Sequence, residues 1–101
     1  MRARRLFILA APLAVLAVDG HARADAGLIE ILTGFSAKET CSCAFVVQQT
    51  DTYCQAFGQQ QGFDVTLGID HTKNVVTATV DPIVRTAHFV DGEGCTLDAL
   101  K

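Results

Sequence analysis

Four cysteines, Cys41, Cys43, Cys54 and Cys95, constrain this chain more than any other feature. Whether they act as staples, as thiolate ligands or as a redox pair depends on the compartment in which they fold. The first residues bear on that point. Arg2, Arg4 and Arg5 precede an apolar run from Leu6 to Val18, and small residues follow at Ala22, Ala24 and Ala26. This is the three-part pattern of a secretory signal, with Ala22-Arg23-Ala24 as the cleavage site and Ala24-Asp25-Ala26 as the alternative. The run of 13 residues is too short to cross a bilayer core, which takes ~20, so no membrane span is expected after cleavage. Arg4-Arg5-Leu6-Phe7 also fits a twin-arginine signal. The expected organisation is a signal peptide over residues 1–24 and one small domain over residues 25–101, periplasmic or secreted.

Export changes what the cysteines mean. In an oxidising compartment, four cysteines in so short a chain fit a framework of two disulfides; in the cytosol the same residues would suggest a metal or redox site. A domain of this size has a core worth only a few kcal/mol, so staples matter. Loss of four arginines and one aspartate with the signal moves the formal charge from -3 to about -6. The remaining basic residues, Lys38, Lys73, Arg85 and Lys101, are scattered, which argues against nucleic acid as a partner.

Residues 26–33 suit a short amphipathic helix, with Gly34 placed to end it. From Thr40 the run CSCAFVV is expected to form a buried strand, with Cys41, Cys43 and Phe45 facing one way and Ser42, Ala44 and Val46 the other. Thr50 or Asp51 caps a second helix over Thr52 to Phe57, ended by Gly58, with Tyr53, Cys54 and Phe57 toward the core. Gln59-Gln60-Gln61 is a loop between Gly58 and Gly62. Two alternating runs joined by a polar turn at Asp70 to Asn74 form a hairpin, with Phe63, Val65, Leu67 and Ile69 sharing a face with Val76, Ala78 and Val80. Pro82 breaks the second strand. Ile83 to Val90 is a further strand, and Asp91-Gly92-Glu93-Gly94 turns the chain into Cys95. The fold class expected is a small α+β single domain: a mostly antiparallel sheet of three to four strands with one or two short helices on one face. A parallel crossover around the second helix stays open, as does the strand order.

On a strand, residues two apart are separated by ~6.6 Å with side chains parallel, so Cys41 and Cys43 do not bond each other. Two connectivities then remain, with Cys41 joined to either Cys54 or Cys95. The competing chemistry is a site for Cu(I) or Zn(II), built from Cys41, Cys43, Cys54, Cys95, His71 and His88. Both histidines also have plain explanations, His71 in a hairpin turn and His88 pointing outward from a strand. Redox catalysis wants Cys-x-x-Cys at a helix start, and the spacing here is one residue shorter. Asp64, Asp70, Asp91 and Glu93 fall on turns and strand edges, where solvation accounts for them, and no phosphate-binding loop is present.

The segments GFSAKETCSCAFV (34–46) and RTAHFVDGEGCTL (85–97), with Tyr53-Cys54 and the hairpin DHTKNVVTATV between them, resemble the amino-terminal accessory module of bacterial serine hydrolases of the class C β-lactamase and penicillin-binding-protein type. The family pattern G-[FY]-x-A-K-x-x-C-S-x-x-F-V matches Gly34, Phe35, Ala37, Lys38, Cys41, Ser42, Phe45 and Val46. The later pattern matches Arg85, Thr86, Ala87, Phe89, Gly92, Gly94, Cys95, Thr96 and Leu97. In that family the nucleophile lies in a Ser-x-x-Lys motif of the catalytic domain. Here Ser36 is followed three residues on by Glu39, and Ser42 by Phe45, so no catalytic residue is carried over. The resemblance implies disulfides Cys41 to Cys95 and Cys43 to Cys54. It further implies a non-catalytic accessory or binding module, without a cofactor, whose partner is a serine hydrolase domain or another exported protein. Two alternatives accompany that reading: the thiolate metal-binding protein above, and a truncated or split fragment of a hydrolase. The sheet face not covered by helices is the expected contact surface. Phe35, Phe63 and Phe89 are its aromatic candidates, unless they serve the core.

Overall fold

The computed structural model describes residues 27–100. The signal peptide expected at residues 1–24 therefore lies outside the described residues. Two helices and a four-stranded sheet follow one another along the chain. Helix α1 covers residues 27–41 and passes directly into a π-helical turn, Ser42–Val47. Helix α2 is Asp51–Phe57. The strands are β1 (Thr66–Asp70), β2 (Val75–Val80), β3 (Ile83–Val90) and β4 (Gly94–Leu97). They lie in the order β1-β2-β3-β4, each pair antiparallel. The fold is α+β, and its sheet is a meander with no parallel crossover around α2.

The hairpin follows from its period of two. Leu67 pairs with Ala78 and Ile69 with Val76, which puts the apolar positions of both strands on the core face. Asp70 organises the turn by accepting hydrogen bonds from the backbone N–H groups of Thr72 and Lys73 at 2.9 and 3.1 Å. Asn74 takes the left-handed conformation that lets the chain reverse. Asp81 and Pro82 form the two-residue link from β2 to β3, with Val80 opposite Ile83. Gly92 and Gly94, at φ 83° and 82°, allow the tight return that brings Cys95 alongside Phe89.

The segment before α2 corrects two expectations. Gly34 does not end a helix, and CSCAFVV is not a strand. Thr33, Gly34, Ser36, Ala37, Thr40, Cys41 and Ala44 are all buried and recur at helical spacing, so small side chains form one continuous inner face. Such a face lets α1 approach the sheet closely. A Cβ on Gly34 would lie 3.1 Å from the Arg85 guanidinium and 3.2 Å from Leu97, so the glycine marks an approach of helix to sheet. The β-branched residues that suggested a strand, Val46 and Val47, are exposed at the end of the π turn. That turn stops at Gln48, whose left-handed backbone donates its N–H to the Cys43 carbonyl.

Helix α2 starts and stops where its sequence directs. The Thr50 side chain accepts a hydrogen bond from the Tyr53 N–H at 3.2 Å, and Gly58 closes the helix. Beyond it, Gln59 uses its side-chain amide as a peptide unit, donating to the Val65 carbonyl at 2.8 Å and accepting from the Val65 N–H at 3.2 Å. The core between the layers is small. Ala37, Cys41, Val65, Leu67, Val76, Ala78 and Ala87 form it, with Phe45, Phe63, Phe89 and Leu97 packed around them.

Candidate functional site

The cysteines become intelligible once α1 is a helix. Residues two apart on a helix diverge by about 200°, so Cys41 and Cys43 point to opposite sides of one rod. Cys41 faces the sheet and bonds Cys95 of β4, with Cα atoms 6.1 Å apart. Cys43 faces α2 and bonds Cys54, with Cα atoms 5.6 Å apart. The first bond ties helix to sheet and the second ties helix to helix. These are the pairs implied by the resemblance, reached through a helical segment instead of the expected strand.

The thiolate set considered for Cu(I) or Zn(II) is not free in this structure. The four sulfurs are paired in the two disulfides, and among the described residues no three His, Cys, Asp or Glu side chains converge. His71 and His88 each engage one carboxylate. His71 Nε2 lies 2.8 and 3.0 Å from the two oxygens of Asp51, a contact between the β1–β2 turn and the first residue of α2. His88 Nδ1 meets the Asp98 carboxylate. Both pairs are about half exposed, so each is a surface clasp of small energy.

A groove runs between α1 and α2 on the side away from the sheet. It has a volume of about 510 Å³, and Phe35, Val47, Tyr53 and Phe57 supply its apolar walls. These side chains are 51%, 63%, 55% and 53% exposed. Tyr53 and Phe57, one turn apart, stack with centroids 6.3 Å apart. Lys38, Glu39 and Gln49 are its polar members, and Cys43 lies at its base. Ser42 also lines the groove, one turn from Lys38, with no hydrogen bond joining the two among the described residues. No family model, curated protein or solved structure matches the chain.

Two expectations change here. Tyr53 and Phe57 do not face the core; only Cys54 of α2 is buried. One position on a helix is worth ~100°, so a disulfide that draws Cys54 inward turns Tyr53 toward the groove. Phe35 is likewise on the outside, whereas Phe63 and Phe89 are half-buried against the core. The uncovered sheet face, the expected contact surface, mixes hydroxyl and apolar groups. Its outward positions include Thr66, Thr77, Thr79, Thr86 and Thr96, together with the exposed Val84 and Val90. The larger apolar exposure is on the helices. A signal for it was present in the sequence: Leu28, Ile31 and Phe35 recur at i, i+3, i+7, opposite the inner stripe of Thr33, Ala37 and Ala44.

Proposed function

We propose that the chain is an exported, non-catalytic accessory module, similar to the segment preceding the catalytic domain in bacterial serine hydrolases, and that its helical groove receives a partner protein. The observation that carries this is the concentration of Phe35, Val47, Tyr53 and Phe57 around one exposed groove. Contiguous apolar patches with polar rims on small proteins mark interaction surfaces. Aromatic anchors of this kind dominate binding energy where they become buried. The two disulfides fit an oxidising compartment, and a bacterial periplasmic location agrees with the amino-terminal pattern. Without a Ser-x-x-Lys motif the module contributes contacts, and acyl chemistry belongs to the partner.

The test mixes the oxidised protein with a class C-type serine hydrolase domain produced without its own amino-terminal module. Binding is followed by calorimetry, and β-lactam and ester hydrolysis by absorbance. A complex that weakens at least about tenfold with Phe57→Ser is expected, with no hydrolysis by the chain alone. Failure to bind, or turnover by the isolated chain, overturns the proposal.

A further inference from the structure

A second pocket, of about 410 Å³, lies where the end of the π turn meets the β1–β2 turn and β3. That size falls within the ~300–1,000 Å³ usual for ligand sites. Its apolar wall is a pair of rings. Phe45 and Phe89 stack with centroids 5.9 Å apart and planes 22° off parallel, and the His71 ring meets Phe45 edge-on at 5.3 Å. Both phenylalanines are half-buried, packing on the core while still lining the pocket. The polar side is three carboxamides, those of Gln48, Gln49 and Asn74. All three residues are exposed, and no protein hydrogen bond occupies their amides among the described residues.

The backbone beneath the amides sets this pocket apart. Among the described residues two non-glycine positions have positive φ, Gln48 at 64° and Asn74 at 57°, and both line it. Asparagine is at home in that conformation, whereas at Gln48 glycine would serve the chain at lower cost. A long carboxamide therefore stands where the backbone alone favours glycine. The nearby N–H groups are already used: those of Gln48 and Gln49 go to the Cys43 carbonyl, and that of Phe89 to the Asn74 carbonyl. A peptide seeking backbone donors finds none among them. No lysine, arginine or carboxylate lines the pocket, and His71, its one titratable side chain, is engaged by Asp51. The Asp70 carboxylate of the same turn is taken by the Thr72 and Lys73 N–H groups.

Aromatic rings beside neutral amides suit a ligand that is uncharged, rich in hydroxyls and apolar on one face. Hydroxyls both donate and accept, as carboxamides do, and the C–H face of a sugar ring packs against an aromatic ring. We propose that this pocket binds a neutral saccharide, its ring C–H groups against Phe45 and Phe89 and its hydroxyls paired with Gln48, Gln49 and Asn74. The site is separate from the partner groove, although Gln49 lines both.

The test titrates the oxidised, isotope-labelled protein with cellotriose, maltotriose and N-acetylated chitotriose, each to about 20 mM, and follows it by nuclear magnetic resonance. At least one trisaccharide is expected to give saturable shifts at the side-chain amides of Gln48 and Asn74. Gln48→Gly and Asn74→Gly both suit their backbones, so each should keep its fold by urea unfolding while binding weakens about fivefold or more. Phe45→Leu, which keeps an apolar group in the core, should weaken binding as much. Phe57→Ser, in the groove, should leave it unchanged. The proposal is overturned by the absence of saturable shifts with all three sugars, or by a folded Gln48→Gly/Asn74→Gly double variant that binds like wild type. Tighter binding of a blocked tripeptide or of a triuronate at the same residues also overturns it. None of these results touches the accessory-module reading, which rests on the groove.

Discussion

At the scale of single residues, the contact of Gly58 with Thr40 shows how closely the parts meet. A Cβ on Gly58 would stand 1.9 Å from Thr40 Oγ1 and 2.9 Å from Leu67. Thr40 is fully buried, and its hydroxyl has no hydrogen-bond partner among the described residues. Gly58→Ala should therefore lower stability by about 1–3 kcal/mol in urea unfolding, as overpacking does. In a Thr40→Ala background the same change should cost measurably less, because the hydroxyl it strikes is gone. Gln59 offers a second check. Gln59→Ala removes both hydrogen bonds to Val65 and leaves part-buried peptide groups unpaired, for a loss of about 1–3 kcal/mol.

At the scale of elements, the disulfides divide the labour unequally. The Cys41–Cys95 bond spans a sequence separation of 54 and joins α1 to β4, whereas Cys43–Cys54 spans 11 and holds only α2 to the turn before it. Chain entropy assigns them roughly 4 and 3 kcal/mol, but their loss should look different. Cys41→Ser/Cys95→Ser is expected to lower global stability, shifting the urea midpoint for all probes together. Cys43→Ser/Cys54→Ser is expected to release α2 first. Hydrogen exchange should then show fast amides over residues 51–57 while β2 and β3 stay protected. Thr50→Ala, which removes the cap on the same helix, should act in the same direction by about 0.5–2 kcal/mol. How far these elements were legible in the sequence depended on the physics each one uses. Hairpin periodicity, the Thr50 cap and the glycine turns are local, and they predicted β1 to β3 and α2 closely. The stretch from Gly34 to Val47 was misread because its local signals, a glycine and a β-branched run, carry opposite meanings once helix and sheet are in contact.

At the scale of the whole molecule, a small core inside a two-disulfide frame implies dependence on oxidation. The buried apolar set is mostly alanine, valine and cysteine, so hydrophobic burial alone gives a narrow margin. Reduction by dithiothreitol should abolish cooperative unfolding at 37 °C, and near-ultraviolet circular dichroism should collapse with it. Chain retained in a reducing cytosol should behave like the reduced form, while exported chain resists alkylation at all four cysteines. Free thiols in the folded protein would contradict both the frame and the compartment proposed for it.

The sequence by itself determined the class of the fold, the inward face of the hairpin, the second helix with its cap, and the cysteine stock from which the frame is built. Each of these rests on interactions within a few residues or on a strict period of two. Only the tertiary structure decided the rest. Cys41 and Cys43 diverge because their segment is helical, and it is helical because an inner face of small residues packs against the sheet. The same packing turned Phe35 outward, and the Cys43–Cys54 bond turned Tyr53 and Phe57 with it. The candidate site lies on the side of the helices that the core did not use, and sequence periodicity could register that second stripe without saying which of the two would be covered.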